Sequence, residues 1–110
     1  MSVDLYLQLQ DKITQLDTFL NDLAVKGIEK ANAERDYRVA LRKEILKERQ
    51  NGTPVSILSD VCRGEESIAE LKLARDLAET IYDATKEACN GTKLVIRVLE
   101  EQIAREWSKA

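Results

Sequence analysis

The sequence predicts an all-α fold: a long antiparallel helical hairpin with arms at about 3–49 and 66–108, a short helix at its tip over 54–63, and association into a helical bundle. Three observations carry this. Apolar residues recur every three or four positions on both sides of one central break, which is helical and not strand spacing. Charged residues make up 34% of the 110 residues and aromatics 5%, the balance expected of long or paired helices. The only proline, Pro54, and two of the four glycines, Gly52 and Gly64, fall within 51–66.

In the first arm the apolar series runs Leu5, Leu9, Ile13, Leu16, Leu20, Leu23, then Ala31, Tyr37, Leu41 and Ile45. Gly27 falls in phase with it and costs a helix about 1 kcal/mol against alanine, so it marks a kink or a close contact. A continuous helix of this length would span on the order of 70 Å. Its start is acidic (Asp4, Asp11, Asp17, Asp22) and its second half basic (Lys26, Lys30, Arg35, Arg38, Arg42, Lys43, Lys47, Arg49). One reading of the basic run is a phosphate-binding strip. The plainer reading is a salt-bridged surface, because Glu29, Glu34, Asp36, Glu44 and Glu48 interrupt it.

At the tip, Gly52 suits a left-handed helix end. Thr53 reads as an N-cap and Pro54 as the first helical position. The short helix carries Val55, Ile57, Leu58 and Val61, with Arg63 at its end. A minimal hairpin needs only a few residues here. The extra helix is therefore either a plug over the end of the bundle or an exposed partner-binding tip formed by Val55, Ile57, Leu58, Val61 and Arg63. A helix-turn-helix reading, with 66–79 as recognition helix, would present Glu66, Glu70, Asp76 and Glu79 to phosphates, which is the wrong charge.

The second arm repeats the pattern through Ile68, Leu71, Leu77, Ile81, Val95, Val98, Leu99 and Ile103, with Asn90-Gly91 as a possible break. Folding the hairpin about residue 59 makes facing residue numbers add to about 118. That register sets Gly27 against Gly91, Leu41 against Leu77 and Ile45 against Leu73. It also sets Arg42 against Asp76 and Arg49 against Glu70, so the basic strip is answered inside the chain. Apolar residues beside this seam, among them Leu7, Ile28, Leu46, Leu94 and Trp107, predict self-association as a dimer or higher oligomer.

Chemistry is limited by composition. With no histidine there is no Ser-His-Asp or Cys-His pair and no histidine-based zinc site. Cys62 and Cys89 are the only cysteines and are read as free thiols in a reducing compartment. No cofactor or metal is expected. A net charge of −3 has the wrong sign for a general nucleic-acid binder, so no nucleic-acid partner is expected. No apolar run reaches the length of a membrane span, and the N-terminus lacks the pattern of a cleaved signal. This predicts a cytoplasmic protein without a membrane partner.

Two further readings compete with a protein-interaction role. Asp76, Glu79, Asp83 and Glu87 form an acidic ladder that would suit Mg²⁺ in an all-α nucleotide pyrophosphatase, although the first arm lacks the matching motif. Alternatively, Arg35, Tyr37, Arg38 and Arg42 would grip a nucleotide at a subunit seam, in a ligand-binding oligomer. The turn Asn51-Gly52-Thr53 lacks the tryptophan of the small secreted Trp-x-Gly hairpins, and that family is set aside. The histidine-poor, all-helical chain resembles, over its whole length, the small helical orphan proteins of bacterial prophages. The resemblance implies a bacterial or phage-infected host cell and a non-enzymatic adaptor, assembly factor or inhibitor of a host protein.

Overall fold

The computed structural model describes residues 3–109 and is all-α. Its elements are α1 (Val3–Gln50), α2 (Val55–Arg63) and α3 (Glu66–Lys109). The order and nature of these elements match the predicted hairpin with a short tip helix. Both long helices run without interruption, α1 through Gly27 and α3 through Asn90-Gly91.

The chain divides into two compact units, one of Lys26–Tyr82 and one combining the chain up to Val25 with that from Asp83. In each, a stretch of α1 lies antiparallel to a stretch of α3. The less exposed positions of α3 alternate strictly by three and four: Ile68, Leu71, Arg75, Ala78, Tyr82, Thr85, Cys89, Thr92, Ile96, Leu99. In the unit containing the chain ends, the α1 side of the seam is Leu5, Leu9, Leu16, Phe19 and Leu23, against Cys89, Thr92 and Leu99, which are 2%, 7% and 6% exposed.

The seam of the Lys26–Tyr82 unit is built differently. The α1 positions there are Lys26, Lys30, Ala33, Tyr37, Ala40 and Glu44. Two reciprocal stacks join the helices: the Arg75 guanidinium lies 4.6 Å from the Tyr37 ring centre, and Lys30 Nζ lies 4.7 Å from that of Tyr82. Each cation lays its aliphatic stem along the seam while its charge meets a ring face. Tyr37 is thereby a core residue, 5% exposed.

These contacts correct the predicted register. Gly27 faces Tyr82, whose ring would lie 3.4 Å from an added Cβ, while Gly91 has nothing within 4 Å. Glu34 meets Arg75 at 3.5 Å. Facing residue numbers in this unit add to about 110, and the pairs Leu41–Leu77 and Ile45–Leu73 do not form; Leu73 and Leu77 are each 53% exposed. The cause is α2. It folds back along the last turns of α1, bringing Cys62 near Glu44 and Glu48, and Glu65 near Lys47. Nine residues of helix rise about 13 Å, so α3 begins beside the penultimate turns of α1 and not beside its end.

The tip is held by local hydrogen bonds. Gly52 adopts φ +87°, as its left-handed role requires. Its N–H donates to the Arg49 carbonyl and that of Thr53 to the Glu48 carbonyl, both at 3.1 Å, which satisfies the orphan acceptors of α1. Helix α2 starts at Val55, one residue later than predicted, with Pro54 in the cap position and no side-chain cap. Thr53 turns its hydroxyl away, donating to Glu48 Oε2 at 2.7 Å. The start of α3 is capped by Glu65, whose Oε2 accepts from the Ile68 N–H at 3.2 Å and from the Ser67 hydroxyl.

Candidate functional site

A cleft of about 600 Å³ opens in the Lys26–Tyr82 unit, between the second half of α1 and the start of α3, with the end of α2 at its rim. Its α1 wall is Glu34, Tyr37, Arg38, Leu41, Arg42, Ile45 and Leu46, positions three or four apart that helical geometry stacks on one face. Arg63 contributes from α2, and Lys72 and Arg75 from α3. Five cations therefore surround an aliphatic floor and face one carboxylate, in a chain whose acids outnumber its bases, 20 to 17.

Three of the five cations are tied to acids. Arg38 Nε lies 2.6 Å from Glu34 Oε1, Lys72 Nζ 3.0 Å from Asp76 Oδ2, and Arg75 Nη2 3.1 Å from Asp76 Oδ1. Hydrogen bonds from Lys72 and then Arg75 hold the Asp76 carboxyl below its usual range. The hydrogen bond to Asp76 raises the Arg75 guanidinium further above its already high value. Arg42 and Arg63 are exposed, and neither side chain makes a hydrogen bond or ion pair with any described residue. The expected Arg42–Asp76 pair is replaced by Lys72 and Arg75, a consequence of the shifted register.

The predicted ligand set is partly assembled. Tyr37, Arg38 and Arg42 line the cleft, but the Tyr37 ring is covered by Arg75 and lies in the core. Arg35 is not part of the lining and pairs with its neighbour Asp36 at 3.1 Å. Sequence reasoning missed Lys72 and Arg75 and assigned Arg63 to the partner-binding tip and not to this ligand set. They come from two other elements, and only the fold-back of α2 brings Arg63 to the α1 face.

The predicted partner-binding tip divides between two faces. Leu58 and Cys62, four residues apart, are 8% and 0% exposed and anchor α2. Val55, Ile57 and Val61 are 82%, 48% and 41% exposed and point outward. Burial, followed by the carboxylates of Glu44 and Glu48, raises the Cys62 thiol, which keeps it protonated and unreactive. Both cysteines are free.

A second exposed feature lies on α3 in the unit with the chain ends. Ala84, Ala88, Gly91, Val95 and Val98 repeat at alternating four- and three-residue intervals beside the buried seam, all exposed but half-buried Ala88. Val95 and Val98 are 42% and 53% exposed, and the neighbouring Leu94 is 58% exposed. The acidic ladder gathers no metal-holding set: among the described residues no three Cys, Asp or Glu side chains converge as metal ligands. Among them also, no helix is long and apolar enough to cross a membrane. No protein-family model, curated protein or solved structure matches the chain.

Proposed function

We propose that the protein is a non-enzymatic helical interaction module that self-associates and then engages another protein through its tip. The observation that carries this reading is the second apolar stripe of α3. A helix with one neighbour needs one buried seam. Here α3 has a seam through Cys89, Thr92 and Leu99, and beside it a repeat through Ala84, half-buried Ala88, Gly91, Val95 and Val98 that is exposed at every position but Ala88. Both follow the seven-residue spacing of helices packed in bundles. The small residues at 84, 88 and 91 permit close backbone approach, and an added Cβ at Gly91 would meet no atom of this chain. A second copy laid antiparallel on this stripe would satisfy it, because an isologous contact sets the same surface against itself.

The outward face of α2 supports the partner-binding half of the proposal. Val55, Ile57 and Val61 would serve an adaptor, or a phage-type inhibitor of a host protein. Replacing Val95 and Val98 by glutamate is expected to reduce the mass in solution to that of one chain, with helicity kept in circular dichroism. An oligomer unchanged by this pair of substitutions would remove the α3 stripe from the reading. Ile57→Asp is expected to leave the oligomer intact and abolish partner capture.

A further inference from the structure

We infer that the cleft between α1, α3 and the end of α2 binds an organic polyphosphate of nucleotide size. Four guanidinium groups and one ammonium converge on a cavity of about 600 Å³, within the range that holds a single small ligand. Guanidinium forks match phosphate oxygens two at a time. Arg42 and Arg63 reach the cleft from different helices with no acid to satisfy them. Two cations without an acid partner beside three paired ones leave a local positive potential that favours an anion in the cleft. The aliphatic floor of Leu41, Ile45 and Leu46 receives an uncharged ligand body.

The chemistry also defines what the site does not read. Tyr37 is the only aromatic side chain in the lining, and its ring is buried beneath Arg75. The ligand body is therefore held by shape and not by stacking, so the phosphates carry the affinity and the base contributes little. A small ligand fits better than a nucleic-acid strand. The cations gather on one open cleft, whereas the charges of α1 toward its acidic start form no basic track for a backbone to follow.

The test is isothermal titration of the full chain at low salt with ATP, GTP, tripolyphosphate and adenosine, each without Mg²⁺. ATP and GTP are expected to bind within a few-fold of each other, tripolyphosphate to compete with both, and adenosine not to bind. Arg42→Gln and Arg63→Gln, at exposed positions that make no internal pair, are each expected to weaken ATP roughly tenfold, the loss of one charge-assisted contact. Arg35→Gln, at a side chain that pairs with Asp36 and does not line the cleft, is expected to leave affinity unchanged. The inference fails if ATP does not bind at millimolar concentration, if adenosine binds as well as ATP, or if Arg42→Gln and Arg63→Gln bind normally. Tighter binding of a single-stranded oligonucleotide than of ATP would replace it with a nucleic-acid site.

Discussion

Single residues decide where the chain turns and how it responds to acid. Gly52 sits at φ +87° at the end of α1, where a Cβ is strained whatever space surrounds it. Gly52→Ala should destabilise the protein by about 1 kcal/mol in urea titration. Gly91→Ala, in a helix interior where an added Cβ meets no atom of the same chain, should not destabilise the single chain. Glu65 and Asp76 both have carboxyl groups held below their usual range. Hydrogen bonds from Ser67, Ile68 and the Ser67 backbone do this for Glu65, and those from Lys72 and Arg75 for Asp76. A depressed folded value means the unfolded chain takes up protons first. The stability these groups contribute is present above the ordinary carboxylate range and is lost as pH falls through it. Melting temperature should therefore drop as pH falls from about 5 to about 2, through and below the ordinary carboxylate range of roughly 4, and the drop should be smaller in Glu65→Gln.

At the scale of the element, α2 explains both what the sequence disclosed and what it concealed. Its existence, its ends and the left-handed Gly52 were legible from Pro54, the paired glycines and the apolar cluster, because turn chemistry is local. Its direction was not, because folding back along α1 depends on Leu58 and Cys62 finding burial there. That fold-back moved the α1–α3 register by about two turns, which set Gly27 against Tyr82 and freed Arg42 from Asp76. The tyrosine–cation stacks were equally hidden: Lys30 read as part of the basic surface run and Arg75 was not singled out, until a ring on the facing helix gives each a place in the seam. Half of the cleft was visible as the basic run of α1, and the other half is contributed by elements distant in sequence. The two faces of α2 should respond oppositely to substitution. Leu58→Ala should cost on the order of 3 kcal/mol as a buried truncation. Ile57→Asp, on the outward face, should leave the thermal midpoint within a degree or two of wild type, roughly the effect of an ordinary surface change.

Across the whole molecule, the apolar surface exceeds what one copy covers. Leu7, Ile28, Val39, Leu94, Val98 and Trp107 are each 48% exposed or more, alongside the outward residues of α2. Scattered exposed leucines are ordinary; a repeat at helical spacing along an unpaired face is the surface that the proposed self-association would cover. The cleft residues and the α3 stripe share no side chain, so ligand binding and self-association can be tested with separate substitutions. The most direct test of the central proposal is the mass in solution, measured by light scattering across a hundredfold range of concentration. The account predicts at least twice the 12.5 kDa of one chain, held at low micromolar concentration. A constant mass of a single chain throughout that range would contradict it.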